Sequence, residues 1–228
     1  MDPRFVLLLA CFFLSGFAAL VYQTAWTREL SFVFGTSALA VAAVLAAYMG
    51  GLALGAAAAA RFAKRLRRPV LVYGVLELAI AVCALLVPWG IRGVNAVYVV
   101  LLGGGSALPE GGSTAATLLQ LAGAFAVLLP PTAFMGATLP LLARHAVHRE
   151  EEIGSRVGVL YAVNTAGAVA GTLCAAFWLM PELGLRRTVW AGAALNAVVF
   201  GLAVRLARRA TLPPAPRPAR ASAPVAAQ

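Results

Sequence analysis

Apolar residues fill this chain in long runs, and polar residues gather in short clusters between the runs rather than alternating within them. Runs of about twenty apolar residues predict helices able to cross a hydrocarbon core of about 30 Å. Six such helices are predicted, at about 5–27, 37–60, 69–90, 115–143, 157–181 and 188–207, forming one membrane domain over residues 1–207. The first run is too long for a cleaved leader and no small-x-small site follows it, so it counts as a helix. Ile91 to Leu102 is too short to span and reads as an interfacial turn or helix extension. Residues 208–228, rich in Pro, Ala and Arg, predict a disordered tail.

Two stretches break the apolar pattern from within. Pro130, Pro131 and Pro140 leave the carbonyls of Ala126, Val127 and Gly136 without backbone donors, so the fourth helix is expected to kink or break. Thr132 and Thr138 are placed to satisfy freed backbone groups. In the fifth helix Tyr161, Asn164, Gly167 and Gly171 recur at helical spacing and form one small, polar face. Gly51 with Gly55, and Gly167 with Gly171, are small-xxx-small pairs that let another helix approach closely. Such faces suit packing within the chain, a homo-oligomer, or a second membrane half.

Composition strengthens the membrane reading. The chain of 228 residues is 62% hydrophobic and 11% charged, too little polar surface for a soluble domain of this size. Its net charge of +10 would suit a nucleic-acid binder, but the basic residues cluster at the ends of apolar runs, where a lipid bilayer places them. With both termini cytoplasmic, the inner side receives Arg4, the group Arg61 to Arg68, the loop after helix four and the arginines from Arg205 onward. Only Arg28, Arg92, Arg186 and Arg187 fall outside. Trp26, Trp89, Trp178 and Trp190 then all lie at outer helix ends, as an aromatic belt requires. These features predict a multi-pass protein of the cell inner (plasma) membrane.

Candidate chemistry is sparse. Cys11, Cys83 and Cys174 are odd in number and lack metal-ligand spacing. His145, His148 and Glu150 to Glu152 are ligand types, but the run reads as solvated charge. The glycine-rich loop from Gly103 to Thr114 follows no strand and precedes no Gly-Lys-Ser/Thr, so it does not read as a nucleotide cradle. No cofactor or metal is expected. Glu77 stands apart: helical rise places it roughly 12 Å beyond Pro69, inside the hydrocarbon. A carboxylate there is a functional candidate by default, set against a protonated side chain bonded to a neighbouring helix. Asn164 and Asn196 fall at similar depths, about 10 Å and 16 Å from the cytoplasmic ends of their helices. Glu77, Asn164, Asn196 and Tyr161 are therefore the expected solute-binding residues, with protonation and cation binding competing at Glu77.

Several motifs, in order, resemble one family: Phe13-Leu-Ser-Gly-Phe-Ala-Ala-Leu-Val-Tyr-Gln23 with Trp26-Thr-Arg28, Gly51-Leu-Ala-Leu-Gly55, Met135-Gly-Ala-Thr-Leu-Pro140, Leu160-Tyr-Ala-Val-Asn-Thr-Ala-Gly167 and Gly184-Leu-Arg186. They are similar to the membrane module of spermidine-synthase-like proteins, a transporter-like region followed by a soluble polyamine aminopropyltransferase domain. The resemblance implies an all-α integral membrane bundle of six helices, half the count of a major facilitator transporter. The basic loop after helix two matches that fold's signature loop in position but lacks its acidic residue and second glycine. No Rossmann-like half follows here, and the only aspartate is Asp2, so this chain is not expected to run aminopropyl transfer alone. Two functions remain open: a transporter-like module for a small polar or cationic solute, related to polyamines, and a membrane anchor or partner for a separate aminopropyltransferase.

Overall fold

A computed structural model describes residues 3–34, 37–63, 66–102, 114–146 and 153–210. The proposed tail from residue 211 onward, the glycine-rich loop up to Ser113, and His148 with Glu150 to Glu152 lie outside these residues, while 208–210, expected to begin the tail, continue α6. The described chain is all-helical. It comprises α1 (Pro3–Phe34), α2 (Ser37–Phe62), α3 (Pro69–Leu102), α4 (Thr114–Ala146), α5 (Ile153–Cys174), a wide π segment (Ala175–Leu179) and α6 (Met180–Ala210). Pro3 and Pro69 open α1 and α3, where a missing N–H costs nothing and the fixed φ suits a first turn.

Five helical runs are long and apolar enough to cross a membrane: Pro3–Val33, Val41–Phe62, Pro69–Val97, Leu118–Ala143 and Gly154–Arg208. The last holds 55 residues, about 80 Å if straight, far more than one hydrocarbon thickness. It is not straight. Gly184 has φ 74° and ψ 169°, a combination open essentially to glycine alone. On its N-terminal side Arg156 lies over the Phe5 ring, Gly167 against Phe13 and Gly171 against Phe17, so α5 runs parallel to α1. On its C-terminal side Gly192 and Asn196 meet Tyr22, while Ala203 and Leu206 join Leu8 and Cys11 in one apolar cluster. The chain therefore travels along α1 twice, in opposite directions, and reverses around Gly184.

Helical spacing at 100° per residue puts the α5-facing residues Phe13, Gly16 and Phe17 on one side of α1 and the α3- and α6-facing residues Cys11, Ser15 and Tyr22 on the other. Ser15 reaches Glu77 and Cys11 meets Tyr73, so α1 and α3 run in the same direction. Gly90 packs on Val127 and Gly123 on Val94, which makes α3 and α4 antiparallel. Much of the outer surface is apolar, with Leu54, Leu86, Val100, Phe177 and Val198 exposed. An apolar exterior around a partly polar interior is the arrangement that lipid favours.

Several expectations require correction. Helix α3 continues through Pro88 to Leu102, because Gly90, Ile91 and Val94 pack on α4 and the apolar core there. Of the kink or break expected in α4, the break does not occur: the helix runs on through Pro130, Pro131 and Pro140. The Thr132 hydroxyl donates to the Leu128 carbonyl at 2.7 Å, with Leu129 at 3.1 Å, rather than reaching Ala126 or Val127. Thr138 donates to Met135 at 2.7 Å. The expected end of helix five at Pro181 is also overrun, the turn falling at Gly184. Trp26 is buried and stacked on Tyr22 at 5.4 Å, so it is not a belt residue, whereas Trp89, Trp178 and Trp190 are exposed.

Both glycine pairs lie in helix seams. A Cβ on Gly51 would collide with Thr132, and one on Gly55 with the Ala133 backbone. A Cβ on Gly167 or Gly171 would strike the carbonyl of Phe13 or Phe17. These faces are consumed within the chain and are not left open for a second copy.

Candidate functional site

Glu77 is fully buried between α1, α3 and α6. Its Oε1 accepts from the Ser15 hydroxyl at 2.6 Å, and its Oε2 accepts from the Asn196 amide. Tyr73, one turn earlier on α3, turns its hydroxyl toward the same carboxylate and lies 3.3 Å from the Cys11 carbonyl. The Tyr22 hydroxyl donates to Asn196 Oδ1 at 2.8 Å. Because that oxygen is engaged, the Asn196 amide must point its NH2 at Glu77. The order Tyr22, Asn196, Glu77, Ser15 is thus a connected chain of donors and acceptors among buried side chains.

Local sequence explains how these side chains arrive. Ser15 and Tyr22 are seven residues apart and share one face of α1, and Tyr73 and Glu77 are four apart and share one face of α3. Gly192 precedes Asn196 by one turn of α6, and a Cβ there would lie 2.7 Å from the Tyr22 ring. Its missing side chain makes the space in which Tyr22 lies flat enough to reach Asn196.

A groove of about 290 Å3 opens on another side of α1, between α1, α2, α4 and α5. Its polar lining includes Ser15, Gln23, Tyr48, Thr138, Asn164 and Thr165, set among Met49, Leu52 and Met135. Among the described residues no charged side chain lines it. Ser15 belongs to both features: it stands in the groove wall and donates to the carboxylate behind it.

Of the residues singled out in the sequence, Glu77 and Asn196 are brought into contact. Asn164 is not part of that contact. It packs against Gly16 and lines the groove, because α5 lies on the opposite side of α1 from α3 and α6. Tyr161 is 60% exposed on the outer surface of α5, away from both features. Ser15, Tyr22, Tyr73 and Gly192 were not singled out, although the i, i+7 and i, i+4 spacings that align three of them are visible in the sequence. One carboxylate among neutral donors is suited to holding a proton or a cation. Among the described residues, its hydrogen-bond donors Ser15 and Asn196 are both uncharged.

No protein-family model matches this chain, and no solved structure matches it. The chain is 31% identical over 197 residues to polyamine aminopropyltransferase 1 of Streptomyces coelicolor. The match covers 86% of this chain and 33% of that protein, so the chain spans about a third of its relative's length. This similarity is that of a distant homologue.

Proposed function

We propose that the chain is an integral membrane module of six crossings, both termini cytoplasmic in the inner (plasma) membrane, that binds a small polar or cationic solute related to polyamines. The observation that carries the reading is a buried carboxylate with no basic partner among the described residues, coupled through Ser15 to an open polar groove. A membrane interior tolerates such a group only where it is paired or used, and here its partners are neutral. A cation arriving in the groove would compete with Ser15 for Glu77, while Asn164 and Thr138 supply neutral contacts from the facing helices. Asn196 orients the carboxylate. Six crossings are supported by the reversal at Gly184, which divides the longest apolar run into two antiparallel passes. They equal half a major facilitator transporter in number, and a second membrane half or copy would have to pair through faces other than the two glycine seams.

The test is uptake of radiolabelled spermidine and putrescine into vesicles holding the purified chain. Saturable uptake is expected, with Glu77→Gln abolishing it together with its pH dependence and Ser15→Ala lowering it. Uptake that is unchanged in Glu77→Gln would remove the carboxylate from the reading. A second reading, in which the chain anchors a separately encoded aminopropyltransferase and moves nothing, draws on one observation: its relative carries that activity in its name and is about three times as long. Absence of uptake, with a soluble aminopropyltransferase retained on vesicles containing the chain, would select it.

A further inference from the structure

A second cavity, of about 320 Å3, lies at the end of the bundle away from the α1 N-terminus, where α1, α3 and α6 meet. Its walls carry Glu29, Arg92 and Arg186, with Trp89 and Trp190 exposed beside them. It is separate from the carboxylate cluster. At 1.5 Å per residue, about 21 Å of helix axis separates Glu29 from Ser15, and about 22 Å separates Arg92 from Glu77. Counted from Pro69 at the opposite end of α3, Arg92 lies about 34 Å along the helix, past a hydrocarbon core of about 30 Å, so the proposed crossing of α3 sets this cavity at headgroup level.

The charges define what fits. Two guanidiniums and one carboxylate leave a net positive cavity. Arg92 lies near enough to Glu29 for their charges to interact, yet among the described residues no ion pair joins Glu29 to either arginine. The planar guanidinium fork matches phosphate oxygens, and a carboxylate matches an ammonium group. Indoles at the rim are the side chains that hold the headgroup boundary. Below Trp89, the exposed Leu86 and Val82 continue the same face of α3 as an apolar flank. The complementary ligand therefore carries phosphate and ammonium close together and hydrocarbon beneath them.

We propose that this cavity binds the headgroup of an ethanolamine phospholipid, with the phosphate on Arg92 and Arg186, the ammonium at Glu29 and the acyl chains along Leu86 and Val82. This site stands whether or not the chain transports a solute. The experiment is native mass spectrometry of the full chain in detergent, titrated with phosphatidylethanolamine, phosphatidylglycerol or phosphatidylcholine. The wild-type chain is expected to retain phosphatidylethanolamine preferentially. R92Q/R186Q should weaken retention by about tenfold, as loss of charge-assisted phosphate contacts implies. E29Q should keep phosphate-dependent binding but lose the preference for ethanolamine over glycerol. Should the double variant unfold by circular dichroism, R186Q alone, which removes an exposed side chain, carries the same test. Equal retention of the three lipids by the wild type, or undiminished retention by the folded arginine variant, would overturn the site. Displacement by soluble phosphoethanolamine at concentrations matching the lipid would assign the cavity to a free phosphate ester and overturn the lipid assignment.

Discussion

Tyr22 decides which way the Asn196 amide faces, and through it the chemistry that Glu77 can accept. With Asn196 Oδ1 taken by the Tyr22 hydroxyl, only the NH2 is left for position 77. Glu77→Gln is therefore not a silent isostere: its own NH2 would meet that of Asn196 unless the new amide turned its oxygen to Asn196 and its NH2 to Ser15, which makes the Ser15 hydroxyl an acceptor and deprives its hydrogen of the carboxylate. A loss of about 1–3 kcal/mol is expected, the cost of an unmet buried polar group. Exchanging the two groups in Glu77→Gln/Asn196→Asp restores a donor facing an acceptor at each step, and most of the loss should return. Unfolding of the purified proteins in a denaturing detergent series measures both, and a double variant no more stable than Glu77→Gln would refute this account. Glu77 and Asn196 were legible in the sequence because buried polar groups stand out against apolar runs. Their partners were not, since Ser15 and Tyr22 are ordinary residues until the helix facing them is known. Asn164 meets neither Glu77 nor Asn196 for the same reason: its position along α5 carries no information about the side of α1 on which that helix packs.

At the scale of elements, the sequence reports where apolar segments begin more faithfully than where they end. Pro88, Pro130, Pro131 and Pro140 each remove a backbone bond, yet α3 and α4 continue through them because their neighbours fit closely. Gly51 and Gly55 admit α4 against α2, and Gly90 and Gly123 bring α3 and α4 together. The opposite holds at Gly184, where a single glycine reverses the chain and Thr188 donates back to its carbonyl at 2.8 Å. Alanine substitutions separate these roles. Gly167→Ala and Gly171→Ala should lower stability by about 1–3 kcal/mol, since each new methyl meets α1 backbone. Gly184→Ala should cost a similar amount, about 1–3 kcal/mol, through backbone strain rather than contact. Gly158→Ala, on the same helix as the first two but facing open space, should be neutral or gain up to about 1 kcal/mol of helix propensity. Thermal unfolding in one detergent compares all four, and equal losses at Gly158 and Gly167 would contradict the seam.

For the whole molecule, the proposed sidedness rests on the distribution of charge and on the reversal at Gly184. With Cys11, Cys83 and Cys174 replaced, a cysteine at Arg187 should react with an impermeant maleimide applied to whole cells, and one at Arg67 should react only after lysis. The reverse pattern would invert the topology, and labelling of both from outside would break the six-crossing arrangement. The long apolar runs made the all-helical plan readable, whereas the order in which helices touch one another was not, because no local signal says that α5 and α6 embrace α1 from opposite sides. That embrace has a consequence in time. Glu77 and Asn196 are 119 residues apart in the chain. At a synthesis rate of about 5–20 residues per second, roughly 6–24 s pass between making the carboxylate and making its second donor. Through that interval the acid has its Ser15 donor but not its Asn196 donor, and the inner face of α1 is finished only when α6 arrives. The nascent chain thus carries an internal record of one docking event: its most demanding group is fully solvated by protein only when α6 has turned back at Gly184 and packed against α1 and α3.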